Sequence, residues 1–115
     1  MIIKIENLRL RTVVGVFEWE KKVKQEVVIN IEIEFDGREA MEKDDISFTV
    51  DYKSMTKKII SEIEDGEFNL IERIAGNVVK IILEDGRVRR ATAKVDKPGA
   101  LRFADSVSVT HSESR

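Results

Sequence analysis

Every second residue from Val27 to Phe35 is apolar: Val27, Ile29, Ile31, Ile33 and Phe35 alternate with Val28, Asn30, Glu32 and Glu34. Neighbouring residues of a strand point to opposite faces, so this period predicts a strand with one face in a core and the other mostly wet. Upstream, Ile3 and Ile5 are followed by Leu8, Leu10 and Thr12, and the phase slips at Glu6 and Asn7, as it does at a β-bulge. The connection from Gly15 to Lys24 is longer than a hairpin needs and carries Phe17 and Trp19. Long loops with large side chains often carry function; two aromatics plugging the end of a sheet would account for them equally well.

The spacing then becomes helical. Over residues 52–64, Met55, Ile59, Ile60 and Ile63 fall on one side and Lys53, Lys57, Lys58 and Glu62 on the other, before Asp65 and Gly66. From Leu70 to Glu84 a wider stripe of Leu70, Ile71, Ile74, Ala75, Val78, Ile81 and Ile82 predicts a deeply buried helix ended by Asp85 and Gly86. Residues 88–97 and 101–110 read as two more strands joined through Pro98 and Gly99. The order is ββααββ, an α+β domain over residues 1–115, with 111–115 expected to form a frayed tail. A four-stranded antiparallel sheet with two helices on one face leaves its other face and both edges uncovered. Self-association would cover them.

Composition narrows the chemistry. The 115 residues, 42% hydrophobic and 37% charged, suit one domain with an ordinary core. With no cysteine and only His111, no thiolate nucleophile, disulfide framework or histidine-rich metal site is expected, and no cofactor is called for. The net charge of -2 provides no drive toward nucleic acid, and Lys21, Lys22 and Lys24 read as a solvated loop. No aromatic residues alternate with base-reading groups on a sheet face, so nucleic acid is not an expected partner. Lys4 and Glu6 interrupt the apolar start and no run approaches membrane-spanning length, so a cytoplasmic chain with no membrane partner is expected.

A few residues are candidates for chemistry. Lys97 continues the inward phase of Ala91, Ala93 and Val95, and a desolvated lysine is a candidate proton carrier. As the last residue of its strand it would equally serve by snorkelling to water. Glu72 lies on the first helical turn, where a carboxylate is favoured; with Asn69 three residues before it, a capping box explains it just as well. Glu20 either acts in a site or pairs with a nearby lysine. Tyr52, the only tyrosine, opens the first helix as a ligand donor or as a hydrophobic staple. Arg102, past the Pro98 turn, suits a phosphate, though surface arginines are common.

Four segments together resemble the dihydroneopterin aldolase family: Gly15-Val-Phe-Glu-Trp-Glu20 with Gln25, Asp44-Asp-Ile through Val50-Asp-Tyr52, Phe68-Asn-Leu-Ile-Glu72, and Asp96-Lys-Pro-Gly-Ala100. The resemblance implies the tunnelling fold, an antiparallel sheet with two helices on one face, closing into homo-oligomers such as tetramers or octamers with sites between subunits. It implies a small-molecule pterin substrate, with Lys97, Glu20 and Tyr52 as an acid/base set and Tyr52 supplied to a neighbour's site. Glu72 would anchor the pterin's amino edge, flanked by backbone groups of Leu70 and Ile71, with Val50 and Arg102 also binding substrate. The reaction implied is a retro-aldol cleavage at C1'–C2' that needs neither metal nor Schiff base, because the pterin ring imine accepts the electrons. The zinc-dependent pterin synthases of the same fold need several histidines, which His111 alone cannot supply.

Two branches of the family are represented. Asn7-Leu-Arg-Leu-Arg-Thr12, Thr56-Lys57 and Ala100-Leu-Arg-Phe-Ala-Asp-Ser-Val-Ser-Val-Thr110 resemble the dihydroneopterin triphosphate 2'-epimerases, whereas Phe17-Glu-Trp-Glu20 and Lys97-Pro-Gly-Ala100 resemble the aldolases. The balance favours epimerase, with aldolase activity on the unphosphorylated substrate; the alternatives are a folate-pathway aldolase and a non-catalytic pterin-binding or scaffold protein. A triphosphate tail would look for cations, and Arg102 with Arg9, Arg11 or Lys21 to Lys24 would meet that need.

Overall fold

The computed structural model describes residues 1–115. Its elements are β1 (Ile2–Val14), a 3-10 turn (Glu18–Lys22), β2 (Gln25–Phe35), α1 (Arg38–Lys43), a 3-10 turn (Ile46–Phe48), α2 (Tyr52–Glu64), β3 (Glu67–Phe68), α3 (Ile71–Leu83), β4 (Val88–Lys97) and β5 (Val107–Ser114). The sheet order is β3-β1-β2-β4-β5. The four long strands pair antiparallel as the alternation predicts, but the sheet has five strands rather than four, because Glu67 and Phe68 pair in parallel with Val13 and Val14. The short α1, built from good helix formers and ended by Asp44 in a left-handed conformation, makes a third helix beside the two expected.

The bulge is where the phase slips: the β1–β2 register shifts between Ile5 and Leu8, with Asn7 at a φ of 54°. Ile29, Ile31 and Ile33 face inward with Ala91, Ala93 and Val95, and the small alanines leave room for the isoleucine-rich stripe of α3. The opposite face is a polar ladder. Lys4 pairs with Glu32 at 3.5 Å, Arg9 with Glu26 at 3.1 Å, and the hydroxyls of Thr92 and Ser112 lie 2.7 Å apart. No helix is long and apolar enough to cross a membrane.

Two boundaries differ from the sequence reading. Residues 101–106 form a turn rather than a strand, and His111–Ser114 are paired rather than frayed. The physical cause is register: Lys97 faces Val107 and Arg90 faces Ser114, so the edge of β4 finds partners along its length only if the last residues join the ladder. Arg115 closes it, donating its backbone N–H to Arg89 O at 2.9 Å and its side chain to Val88 O at 2.7 Å and to Leu83 O.

Candidate active site

The antiparallel register collects four strand ends at one end of the sheet. They are the close of β1 at Thr12–Val14, the start of β2 at Gln25, the close of β4 at Lys97 and the start of β5 at Val107. The buried Thr12 hydroxyl donates to Ile63 O at 2.6 Å, a carbonyl in the last turn of α2 that also accepts from Gly66 N at 3.2 Å, and so fixes that helix end against β1. Gly15 N donates to Phe68 O at 3.0 Å, and Lys21 Nζ to Asn69 Oδ1 at 3.0 Å, so the loop after β1 is fastened to the segment leading into α3.

Within this frame Lys97 Nζ donates to Glu20 Oε2 at 2.5 Å, across 77 residues of sequence. The two side chains are 14% and 6% exposed. The inward lysine therefore faces a buried carboxylate rather than an apolar wall. Gln25 Nε2 donates to the same Glu20 oxygen at 2.9 Å, and Phe17 N donates to Oε1 at 3.3 Å. The Lys97 ammonium, followed by the Gln25 amide, holds the Glu20 carboxyl down at about 2 from its ordinary 4.5, against the opposing pull of burial. Room for the carboxylate comes from Gly15: at a φ of 147° it has no side chain, and a Cβ there would lie 2.2 Å from Glu20 Cδ.

Leu70 is the N-cap of α3 and contributes no side-chain cap, while Asn69 is engaged by Lys21. The capping-box reading of Glu72 is therefore not realised; Glu72 lies exposed in the first turn of α3 with its side chain unbonded. Leu70 is half exposed, but the Ile71 side chain is buried, leaving only its backbone for a ligand. Val50 is fully buried, so its expected substrate contact cannot come from its side chain, which belongs to the core.

Tyr52 is not brought to Lys97 within the chain. It opens α2 eleven residues before Ile63, roughly 16 Å along the helix at about 1.5 Å per residue. The segment before α2 is tied to the start of β4, where Arg87 Nη2 donates to Ser47 O at 2.7 Å, at the far end of that strand from Lys97. Arg102 lies in the 98–106 turn that continues from Lys97, exposed, its guanidinium carbon 5.7 Å from the ring of Phe103, which is 98% exposed. Four of the other cations expected to meet a triphosphate are already engaged, Arg9 with Glu26, Arg11 with Lys24 O, Lys21 with Asn69 and Lys24 with Glu64 O, while Lys22 is exposed and unpaired. The roles of Gly15 and Gln25 as neighbours of Glu20 were missed in sequence. The one signal was their place in the motif that contains Glu20, since contacts between the loop and β4 leave no periodic trace.

No group of three or more histidine, cysteine, aspartate or glutamate side chains is arranged to hold a metal ion. The site can hold a buried ion pair at the mouth of a sheet end and move protons over short distances. Against known proteins, the family model for FolB dihydroneopterin aldolase matches residues 3–112. Dihydroneopterin triphosphate 2'-epimerase of Pseudomonas aeruginosa is 43% identical over 94% of this chain and 88% of that one. Dihydroneopterin aldolase of Escherichia coli is 33% identical over the same shares. A crystal structure of the E. coli aldolase in complex with neopterin superposes with a TM-score of 0.94 at 32% identity, covering 99% of each chain.

Proposed function

This chain belongs to the dihydroneopterin aldolase family of enzymes, and we propose that its main reaction is 2'-epimerisation of 7,8-dihydroneopterin triphosphate to dihydromonapterin triphosphate. Retro-aldol cleavage of unphosphorylated dihydroneopterin is its side reaction. The observation that carries the chemistry is the buried Lys97–Glu20 pair at 2.5 Å, a proton-exchanging group held in place where the strand ends meet. The epimerase branch is favoured by the higher identity to the P. aeruginosa epimerase, 43% against 33% for the E. coli aldolase.

In this reading Glu72, Leu70 and Ile71 bind the pterin edge at the start of α3, and Lys97, held by Glu20 and acting as the neutral amine once its ammonium has released a proton to solvent, receives the proton of the substrate's 2'-hydroxyl through an ordered water. The C1'–C2' bond breaks as the hydroxyl oxygen becomes an aldehyde, and the electron pair enters the ring imine to give an enamine. For epimerisation the enamine carbon attacks the other face of that aldehyde and the oxygen takes the proton back. For cleavage the aldehyde leaves and C1' is protonated instead. Neither path changes oxidation state, so no cofactor is required. Tyr52, too far from Lys97 in its own protomer, acts in a neighbouring subunit's site, which is the reason to propose a homo-oligomer; a tetramer or octamer in the cytoplasm belongs to the same proposal.

The second reading, an aldolase giving 6-hydroxymethyl-7,8-dihydropterin and glycolaldehyde, is favoured by Phe17-Glu-Trp-Glu20 and Lys97-Pro-Gly-Ala100. One experiment separates them: incubate the protein with dihydroneopterin and with its triphosphate and resolve the pterins by chromatography. The monapterin isomer from the triphosphate is the expected main product. Hydroxymethyl-dihydropterin as the main product from both moves the assignment to aldolase, and conversion of neither substrate overturns both.

A further inference from the structure

We propose that Gln25 is a positioning residue for the reaction: its side-chain amide fastens the Glu20 carboxylate to the end of β1 and thereby fixes the point from which Lys97 meets the substrate. The catalytic consequence rests on the function proposed above; the clamp itself does not.

Gln25 Nε2 lies 2.9 Å from Val14 O and 2.9 Å from Glu20 Oε2. Both neighbours are acceptors, so the group between them must be the NH2, and its two hydrogens are both used. A single side chain at the start of β2 thus bridges the last residue of β1 to the acid of the intervening loop. Glu20 needs such an anchor. It sits on a 3-10 turn of five residues, and Lys97 approaches it on a long flexible chain from the far side of β2. Oε2 accepts from both Lys97 and Gln25, while Oε1 accepts only from Phe17 N, so the donors orient the carboxylate as well as neutralise it. Lys97 spends one of its three donors on Glu20, and its side chain is still 14% exposed, so the pair is not sealed from solvent. The amide ranks second among the groups that lower the Glu20 carboxyl, after Lys97.

The test uses Gln25→Leu, which removes both donors, and Gln25→Glu, which keeps the length but cannot bridge two acceptors while ionised. Two readouts are taken on the full chain. One is the titration of the Glu20 side-chain carboxyl by 13C NMR, its signal assigned by loss in Glu20→Gln. The other is kcat and KM on dihydroneopterin triphosphate and dihydroneopterin. The expected result is a carboxyl midpoint raised in Gln25→Leu, with kcat lower by about 10- to 100-fold, the scale of a small misplacement of a reacting group, and KM changed by less than about threefold. Gln25→Glu loses kcat similarly and guards against a leucine variant that fails to fold. An unmoved carboxyl titration overturns the proposal, as does a moved titration with unchanged kcat. If the wild-type protein converts neither pterin, the proposed function falls and the titration alone decides the clamp.

Discussion

Replacing Glu20 with glutamine should remove a pH-dependent part of the protein's stability that can be sized from the site. The Glu20 carboxyl is held at about 2 in the folded protein against 4.5 ordinarily, chiefly by Lys97 and then by Gln25. Each tenfold change in proton affinity is worth about 1.4 kcal/mol, so the linked stabilisation is about 3 kcal/mol, a sizeable part of the roughly 5–15 kcal/mol that holds a domain folded. The side chain is only 6% exposed, so little of this is screened by solvent. Because the folded value lies below the unfolded one, the unfolded chain takes up the proton first as pH falls. The stabilisation is therefore complete above about 4.5 and lost as pH drops toward 2. Urea unfolding followed by circular dichroism from pH 7 to pH 2.5 would measure it, at one protein concentration, since any assembly makes stability concentration-dependent. The quantity to plot is wild-type stability minus that of Glu20→Gln, in which the other lowered carboxyls, Asp36, Asp45 and Asp51, cancel. It should shrink by about 3 kcal/mol across the acid window. Curves that stay parallel there would show that the ion pair contributes nothing to folding and would refute the reasoning.

Three further outcomes are expected. Lys97→Ala should lower kcat by about 10²- to 10⁴-fold, the usual worth of a general acid or base, while circular dichroism shows an unchanged fold; full activity would dismiss Lys97 from the chemistry. Mixing inactive Tyr52→Phe and Lys97→Ala proteins, then dissociating and reassembling them, should restore part of the activity, because some sites would receive an intact Lys97 from one subunit and an intact Tyr52 from another; no recovery argues that both act from one chain. Arg102→Ala should lower kcat/KM for the triphosphate by about tenfold or more, as expected for a hydrogen bond to a charged group, and leave dihydroneopterin unaffected. Equal losses on both substrates would remove Arg102 as the phosphate contact.

Much of the fold is legible because its signals are local. The inward alternation of β2, the slip at Asn7 and the stripe of α3 each follow from neighbouring residues, and each element forms where its period says. The parallel pair of β3 is too short to carry a period, and α1 offers six residues with no buried face. The β5 boundary fails for a different reason. Leu101 and Phe103 alternate as strand residues do, yet the partner strand sets where pairing begins, and it begins at Val107.

The sequence by itself determined that Lys97 points inward, that Glu72 stands at a helix start and that Tyr52 opens another helix, since face and helix position depend only on near neighbours. Tertiary structure alone decided what those residues meet. The sheet register carried Lys97 to Glu20 across 77 residues, the unoccupied space at Gly15 admitted the carboxylate, and Gln25 closed the frame from the next strand. It also separated Tyr52 from Lys97 along the length of α2, which no local pattern records, because distance between elements is set by how they pack and not by how each one repeats.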